Sequence, residues 1–579
     1  MGRMPLANLT KFADGLLPIP VDDGRLAQGQ APSIPCSPQL QKMETMRGMV
    51  VAAQPEASEA GVLALRKGGN AIDAAIAAAF VQGVVDPLMT GIAGYGSMQI
   101  HMPRRGVHQH LTFYARAPMA AREDMWADAV VGQSRDGFVY LVKDHANEIG
   151  YLAPGTPGNL RGYTDALRDF GTMELADVLR PAIDLARDGF MVRPYVHYYW
   201  TLDQRSSGML NPIDYLRFSR TGRETYCTPD GAPKKPGQIV KNPDMARSLE
   251  RIARGGPEIF YGGEMAEEIV ADFRRHGGLL SIEDLRGYQC RRSDPVWGSY
   301  RGYPVATLAP PGGGVSLLQI LHVLERFDLA ALDHNGAEHL RILAEAMKQA
   351  ALDKDAHVGD PEFVDVPLDM LLSKQRAGGI ADRIRAGVKV HVPRMPFEPQ
   401  DTTHVTVMDE EGNAVSLTHT LGNPSGVITD GLGFMYNGLM NGFDPRPGRA
   451  GSIAPGKGRT SSQCPTIVFD RDGRPRIVLG APGATAIVPA LAQTISNILD
   501  FGMTTFEAVA APRISVNSDT IDVSNRIPRY VTGALEAQGY PVARSYMSYA
   551  FAAVHAIGVV DGRMSGGADP QRDGVALSA

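Results

Sequence analysis

Two threonines and a histidine, Thr402-Thr403-His404, begin a segment with the alternating pattern of a β-strand. A threonine hydroxyl attacks a carbonyl only when a base takes its proton. If the chain were cut between Asp401 and Thr402, the freed α-amino group could be that base, because its unperturbed pKa is about 7.7–8.0. His404 shares the strand face of Thr402 and is a second candidate base, although packing within a sheet also explains it. The sequence therefore presents Thr402 as a nucleophile that cleavage would activate.

Three later segments carry the other groups that an acyl-transfer site needs. Thr420 ends the next β-like run, and an antiparallel hairpin turning at 410–413 would return it to the side of Thr402. Residues 460–463 contain two serines whose hydroxyls could contact a substrate, and residues 480–485 read as a strand-to-helix turn. Backbone N–H groups at such a helix start can hold an oxyanion. A strand threonine, a plain loop and an ordinary turn are the alternative interpretations.

The elements around these segments predict sheets covered by helices. Residues 55–84 form an alanine-rich helical pattern broken at 68–70, with Leu63 and Leu65 in its apolar stripe. Residues 203–240 read as a polar stretch that interrupts a mostly helical region. Further helices are predicted over 159–170, 174–189, 243–254 and 335–357, and alternating β sequence follows position 401.

Composition narrows the class of protein. The 579 residues are 44% hydrophobic and 21% charged, with a net charge of −6, which does not indicate binding to nucleic acid or to an anionic membrane surface. The four cysteines are far apart, so neither a zinc cluster nor a disulfide scaffold is predicted. No apolar run approaches the roughly 20 residues of a membrane span. We expect a cytoplasmic protein without a membrane partner.

Several motifs, taken in order, resemble those of the γ-glutamyltranspeptidase family. The resemblance begins near position 45 and continues to the end of the chain, leaving the first forty-odd residues outside it. The matching segments lie at 69–75, 154–158, 185–190, 310–314, 402–404, 409–415, 461–468 and 480–483.

The resemblance implies an α+β N-terminal-nucleophile (Ntn) hydrolase fold, a four-layer αββα sandwich. It also implies self-cleavage before Thr402, which would give a large helix-rich subunit region over 46–401 and a small β-rich subunit region over 402–579. Residues 1–45, which lie outside the resemblance, read from the sequence as an N-terminal extension. Both subunits would come from one precursor and form a heterodimer. A dimer of two such heterodimers is possible. No metal and no organic cofactor is implied.

Positions that match the family motifs acquire roles by the same resemblance. Thr402 corresponds to the nucleophile and, through its amine, to the base, while Thr420 assists that amine. The oxyanion-hole pair corresponds to Gly483 and Ala484. Ala484 replaces a glycine of the family, but its backbone N–H is still available as a donor. The serines that contact the substrate carboxylate correspond to Ser461 and Ser462.

The chain departs from the family pattern where a γ-glutamyl group would be recognised. The arginine that grips the glutamate α-carboxylate is replaced by Tyr114, and Arg116 two residues later is a candidate substitute. An expected asparagine is replaced by Gly422. In the segment that contains Asn441, the acidic residue expected to hold the α-amino group is replaced by Gly442. Because a bidentate arginine–carboxylate contact contributes strongly to recognition, we expect altered specificity.

These observations predict a self-processing threonine amidohydrolase that cleaves a small amide or N-acyl compound through an acyl-enzyme on Thr402. One alternative is a true γ-glutamyl hydrolase or transferase that acts on glutathione-like compounds and uses Arg116. Another is an unprocessed relative that binds a small molecule without catalysis, which the glycines at 422 and 442 would allow.

Overall fold

The computed structural model of the protein describes residues 46–133, 139–205, 208–392, 402–545 and 551–579. Asp401, the predicted residue before the cleavage site, and the predicted extension over 1–45 lie outside these described residues. The predicted subunit boundaries stay predictions. In chain order the strands are β1 (Gly48–Ala52), β2 (Tyr95–Met102), β3 (Val107–Phe113), β4 (Val130–Gln133), β5 (Tyr140–Val142), β6 (Phe190–Met191), β7 (Ile239–Val240), β8 (Arg291–Ser293), β9 (Val296–Tyr300), β10 (Tyr303–Thr307), β11 (Thr403–Asp409), β12 (Ala414–Thr420), β13 (Thr466–Phe469), β14 (Pro475–Gly480), β15 (Ile514–Ser515), β16 (Ile521–Val523), β17 (Val542–Arg544), β18 (His555–Val560), β19 (Arg563–Ala568) and β20 (Val575–Ser578).

The helices alternate with groups of strands along the chain. They are α1 (Pro55–Arg66), α2 (Ala71–Val85), α3 (Asn159–Phe170), α4 (Leu175–Asp188), α5 (Pro194–Trp200), α6 (Pro212–Phe218), α7 (Arg220–Tyr226), α8 (Pro243–Gly255), α9 (Glu258–Tyr261), α10 (Glu264–Arg275), α11 (Ile282–Arg286), α12 (Gly314–Leu324), α13 (Ala337–His357), α14 (Leu368–Leu371), α15 (Lys374–Arg385), α16 (Ile487–Leu499), α17 (Thr505–Ala510) and α18 (Arg529–Ala537).

Two antiparallel sheets form the centre of the fold. The seven-stranded sheet has the order β20-β1-β11-β12-β2-β3-β8, and the six-stranded sheet has the order β19-β18-β14-β13-β10-β9. In the first sheet β11 pairs with β1 on one side and with β12 on the other. Each sheet therefore mixes strands from before and after position 401.

Helices cover the outer face of each sheet, while the inner faces pack against each other. Helices α1 and α2 contact the seven-stranded sheet, α12, α16 and α17 contact the six-stranded one, and β11 and β12 contact β14 across the middle. Apolar side chains such as Met408, Ile467 and Val478 fill the space between the sheets. This arrangement is the expected four-layer αββα sandwich.

Helix α2 illustrates how the sequence produces these layers. Asn70 caps it by accepting hydrogen bonds from the backbone N–H of Ile72 at 2.8 Å and of Asp73 at 3.3 Å. Its many alanines let it pack closely, and all of its residues except Gly83 are buried. The predicted break between α1 and α2 is confirmed.

Two details of the helical prediction are wrong. Leu63 is 43% exposed and does not belong to the apolar stripe of α1, because Leu65 and the alanines face the sheet instead. The polar stretch over 203–240 contains α6 and α7, whose first turns are stabilised by capping residues Asn211 and Ser219 rather than by a long apolar periodicity.

Candidate active site

The β11–β12 hairpin brings the two predicted threonines together. Thr403 lies opposite His419 in the register of the two strands, so the residues one step further, Thr402 and Thr420, also meet. The Thr402 Oγ1 donates a hydrogen bond to the Thr420 Oγ1 at 3.0 Å. Thr420 Oγ1 also accepts from the backbone N–H of Gly422 at 2.8 Å, which fixes the orientation of its hydroxyl. The pairing expected from the hairpin is therefore present.

The backbone of Thr402 has an unusual conformation. Its φ angle is +88°, a region that a β-branched residue rarely adopts because its side chain crowds the backbone. The Thr402 carbonyl accepts a hydrogen bond from Arg572 Nη1 at 2.7 Å. A residue far along the chain thus holds the candidate nucleophile in a strained conformation.

A buried polar network lies next to this arginine. Gln54 Nε2 donates to Asp86 Oδ2 at 2.7 Å, and Gln82 Nε2 donates to Thr403 Oγ1 at 2.9 Å. Burial raises the pKa of Asp86 to about 6, while the charge of Arg572 and the hydrogen bond from Gln54 oppose the rise and Asp573 adds to it. These groups support the strand end that carries Thr402.

His404 is part of the packing between the sheets. It is fully buried, and its two ring nitrogens are hydrogen-bonded to Thr418 Oγ1 at 2.8 Å and to Thr406 Oγ1 at 2.9 Å. Its ring lies against Gly480, where a β-carbon would overlap it. Burial, followed by His555 and His419, holds the pKa of His404 well below its usual value. Both nitrogens are occupied, so a role as base for Thr402 is disfavoured.

The contact between His404 and Gly480 places the predicted oxyanion turn at the same end of the sandwich as Thr402. After β14, Gly483 has a φ of +137°, which favours glycine, and Ala484 has a φ of +45°. A short 3₁₀ turn over Ala484–Ala486 then leads into α16. Backbone N–H groups at a helix start are available to an anion, so the turn has the form that the prediction required.

A second turn holds the paired serines. The Ser461 N–H donates to the Pro311 carbonyl at 2.9 Å, and the Gly313 N–H donates to the Gln463 carbonyl at 2.9 Å. A β-carbon at Gly313 would lie 2.8 Å from the Ser462 carbonyl oxygen, so only glycine fits there. The serine segment is therefore held against the turn over 310–314, which is one of the segments on which the family resemblance rests.

The serines line a pocket of about 290 Å³ together with Gly442. A cavity of about 30 Å³ connects Ser462 with Thr485, which follows the predicted oxyanion pair. The structure therefore brings three predicted sites, at 442, at 461–462 and at 483–484, to one region of the molecule.

Tyr114 and Arg116 line a different pocket, of about 470 Å³. The Arg116 guanidinium lies 3.9 Å from Glu362, and its backbone forms isolated bridges with Thr156 and Gly458. Burial raises the pKa of Tyr114, whose hydroxyl lies near those of Ser461 and Ser97 but makes no well-formed hydrogen bond to any described residue. Arg116 and the paired serines thus line different pockets.

Larger neighbours fill the space at both glycines that depart from the family pattern. A β-carbon on Gly422, whose φ is +63°, would lie against the hydroxyl of Tyr95. A β-carbon on Gly442 would overlap the guanidinium of Arg459. Asn441, next to Gly442, is fully buried, and neither atom of its amide is hydrogen-bonded to a residue that the structure describes.

Sequence reasoning missed four residues of this region: Asp86, Tyr95, Arg459 and Arg572. Tyr95, the first residue of β2, lies in a glycine-dense stretch of sequence, and Arg459 lies two residues before the serines, so their positions were weak signals. Among the described residues, no group of three or more His, Cys, Asp or Glu side chains is arranged to hold a metal ion. None of the helices in those same ranges is long and apolar enough to cross a membrane.

Comparisons with known proteins cover nearly the whole chain. The sequence pattern of the family described as Gamma-glutamyltranspeptidase matches residues 57–579. Acylase ACY 1 proenzyme of Pseudomonas sp. (strain V22) is 39% identical over 510 residues, which are 86% of this chain and 88% of that protein. Glutathione hydrolase proenzyme of Escherichia coli (strain K12) is 33% identical over 547 residues, 91% of this chain and 90% of that protein.

A solved structure extends the likeness to the fold. The cephalosporin acylase from Bacillus halodurans superimposes with a TM-score of 0.81 at 27% sequence identity. The match covers 94% of this chain and 99% of that one.

Proposed function

The chain belongs to the γ-glutamyltranspeptidase family of Ntn hydrolases, and from this premise we propose that it hydrolyses small N-acyl amides other than γ-glutamyl compounds. It is a self-processing threonine amidohydrolase of that family. The observation that carries the proposal is the pairing of Thr402 with Thr420 beside a recognition region whose family-typical polar positions, 422 and 442, are glycines.

Activation would begin with attack of Thr402 Oγ1 on the carbonyl of Asp401. The hydroxyl proton moves to the peptide nitrogen, which leaves as the α-amine of Thr402. Water then hydrolyses the resulting ester, which frees the carboxylate of Asp401 and restores the Thr402 hydroxyl. The φ of +88° at Thr402 supports this step, because the strain disappears once the peptide bond to Asp401 is broken and the dihedral no longer exists. The hydrogen bond from Arg572 would hold the residue in place meanwhile.

Catalysis would reuse the same hydroxyl with the new amine as its base. Thr402 Oγ1 attacks the substrate carbonyl, the amine takes its proton, and the N–H groups of Gly483 and Ala484 stabilise the oxyanion. The leaving amine takes the proton and departs, and water then hydrolyses the acyl-enzyme ester. Thr420, which accepts a hydrogen bond from Thr402 Oγ1, would orient the nucleophile.

The cleaved halves would stay together without a covalent link. Strand β11 begins at Thr403 and lies between β1 and β12, while β12 pairs with β2 from the other half. Each sheet therefore depends on strands from both sides of the cut. The pairing of two heterodimers and the cytoplasmic location stay predictions.

The relatives frame the choice of substrate. One of them is named an acylase and another a glutathione hydrolase. Recognition of a γ-glutamyl group by Arg116 is disfavoured, because that arginine lies in another pocket beside Glu362. We therefore favour acylase-type chemistry on a small N-acyl amide, with Ser461 and Ser462 contacting the acyl half.

The test is mass spectrometry of the small subunit during turnover of a set of N-acyl-p-nitroanilides. We expect release of p-nitroaniline, and an added acyl mass on the peptide that begins at Thr402. Cleaved protein that releases no p-nitroaniline and gains no acyl mass with any member of the set would contradict the proposal.

A further inference from the structure

A chain of buried hydrogen bonds supports the residue that follows the nucleophile. His419 Nε2 is hydrogen-bonded to Gln82 Oε1 at 2.7 Å. Gln82 Nε2 donates to Thr403 Oγ1 at 2.9 Å and to Gln54 Oε1 at 2.7 Å. The chain ends where Gln54 Nε2 donates to Asp86 Oδ2 at 2.7 Å. It therefore connects the first residue of β11 with a carboxylate that immediately follows α2, and all five residues are buried.

Chemistry fixes the direction of these bonds. The amide oxygen of Gln82 can only accept, so His419 donates from Nε2, and its Nδ1 is left as the acceptor that the Tyr163 hydroxyl contacts. Burial lowers the pKa of His419 to about 3, in agreement with a neutral ring. The last donor of the chain, on Gln54, meets the carboxylate of Asp86. Because hydrogen bonds to a charged acceptor are roughly twice as strong as neutral ones, ionised Asp86 holds the chain most firmly.

Asp86 also acts on the arginine that holds the nucleophile. Arg572 is 6% exposed and donates from Nη1 to the Thr402 carbonyl at 2.7 Å. The charges of Asp86 and Arg572 attract one another, and those of Asp573 and Arg572 do so too. On another side, the guanidinium lies over the ring of Tyr195 at 5.0 Å. Asp86 thus reaches Thr402 by charge and the next residue by hydrogen bonds.

The charge on Asp86 is costly in this position. Burial raises the pKa of Asp86 to about 6, against the opposing effects of Arg572 and of the hydrogen bond from Gln54. The residue is therefore ionised at neutral pH although burial favours its neutral form. An asparagine would accept the same hydrogen bond from Gln54 without this cost. A charge that lowers stability behind the strand end of Thr402 indicates a role in the reaction rather than in the fold.

We propose that Asp86 is a positioning residue for the self-cleavage that activates Thr402. As a carboxylate it holds the amide chain on Thr403 and keeps Arg572 on the Thr402 carbonyl, which maintains the strained backbone from which the attack begins. It acts through these neighbours rather than on the reacting atoms. The inference rests on the proposed self-processing and adds a residue on which the rate of that step depends.

The rate of self-cleavage against pH tests this role. Wild type and Asp86→Asn are purified from inclusion bodies as intact chains in denaturant, refolded by dilution between pH 5 and pH 8, and followed on denaturing gels. In the wild type we expect the rate to rise about 10-fold from pH 5 to pH 7, because Asp86 ionises over this range. Asp86→Asn should keep the slow rate throughout, so that it is about 10-fold slower than the wild type at pH 7.

Neighbouring groups are separated from Asp86 by their own titration. Burial lowers the pKa of His555, like that of His419, to about 3 and holds that of His404 still further below its usual value, so these rings stay neutral over the tested range. Burial also raises the pKa of Asp573, the other carboxylate beside Arg572. Asp573→Asn is therefore the matched control and should keep the rise of the rate with pH. Loss of the rise in this control, with retention in Asp86→Asn, would refute the assignment.

Stability separates positioning from a purely structural role. In the Thr402→Ala background at pH 7, Asp86→Asn should keep or raise the melting temperature, because it removes a charge that burial disfavours. Slower cleavage together with a lower melting temperature would show a structural role and refute the inference. Equal cleavage rates in wild type and Asp86→Asn would refute the inference alone. A wild type that stays intact at every pH would refute the proposed self-processing and the inference with it.

Discussion

The two sides of the candidate site differ in how closely they follow the family pattern. On the nucleophile side, Thr402 and Thr420 are hydrogen-bonded at 3.0 Å, and the Gly483–Ala484 turn precedes a helix at the same end of the sandwich. On the recognition side, Tyr95 and Arg459 take the space of side chains that the pattern would place at 422 and 442. The geometry of the nucleophile side thus follows the family pattern, while the residues at 422 and 442 on the recognition side depart from it.

This contrast has a physical reason. The nucleophile side depends on backbone geometry, namely a hairpin register, a positive φ and a helix start, and few substitutions preserve all three. The recognition side depends on side chains that project into a pocket. A small residue at one position there leaves room for a larger neighbour, so specificity can change without moving the backbone.

The largest effect is expected from a substitution of the nucleophile. Thr402→Ala removes the attacking hydroxyl, so we expect hydrolysis of every accepted anilide to fall by at least about 10⁴-fold. The measurement is p-nitroaniline release at equal protein concentration. Thr402→Ser, which keeps a hydroxyl, is the control and should retain part of the activity. Full activity in Thr402→Ala would show that another group attacks.

A smaller loss is expected at the partner of the nucleophile. Thr420→Val removes the hydroxyl that accepts from Thr402 Oγ1 while keeping the shape of the side chain. We expect kcat to fall about 10–100-fold, because the nucleophile loses its orientation. Thr418→Val makes the same change two residues away, where the hydroxyl contacts His404 instead, and should lower kcat less than about 3-fold. Equal effects in the two variants would remove Thr420 from the mechanism.

On the recognition side, Gly442→Asp tests whether the family acid can simply be restored. Its side chain would overlap the Arg459 guanidinium, so we expect a loss of about 1–3 kcal/mol of stability from overpacking. Arg459→Gly in the same chain makes room and should recover the melting temperature. A stable Gly442→Asp single variant that prefers γ-glutamyl-p-nitroanilide would contradict the idea that these two positions exclude one another.

Asp86 lies behind the nucleophile side and gives a pH-dependent stability. Burial raises its pKa from 3.8 to about 6, so the folded protein binds this proton more tightly than the unfolded chain does. The contribution of Asp86 to the free energy of unfolding therefore falls as pH rises from about 4 to about 6, by on the order of 3 kcal/mol.

Replacement of Asp86 by Asn removes this slope. Urea unfolding at pH 4 and pH 7, both in a Thr402→Ala background that keeps the chain intact, measures the difference. We expect the free energy of unfolding of Asp86→Asn, measured relative to that of its parent, to be higher at pH 7 than at pH 4. A parallel shift at both pH values would mean that Asp86 does not titrate in this window.

The smallest expected effect is at Tyr114. Its hydroxyl is buried and makes no well-formed hydrogen bond to a described residue, so Tyr114→Phe removes a group that contributes little. We expect kcat/KM to change less than about 3-fold and the melting temperature to stay level or rise. A loss above 10-fold confined to carboxylate-bearing substrates would instead place Tyr114 in substrate recognition.

Local features of the site could be predicted from the sequence, and long-range ones could not. The Thr402–Thr420 pair follows from one hairpin turn, and the break before α2 follows from Gly68, Gly69 and the cap at Asn70. Arg572 reaches the Thr402 carbonyl from 170 residues away, and only the folded sheets bring them together.

The replacements at the two glycines show the same limit. The sequence revealed that a polar side chain was missing at 422 and at 442. It could not reveal which neighbour fills the space, because Tyr95 and Arg459 come from other segments and depend on packing in three dimensions. The strained φ of Thr402 was equally hidden, since any residue type can be forced into it by its surroundings.

The most direct test of the central claim is the intact mass of freshly purified wild type and Thr402→Ala under denaturing conditions. We predict two fragments that meet between Asp401 and Thr402 in the wild type, and a single chain of 62.2 kDa in the variant. A single 62.2 kDa chain in both, or the same two fragments in both, would contradict activation of Thr402 by its own cleavage.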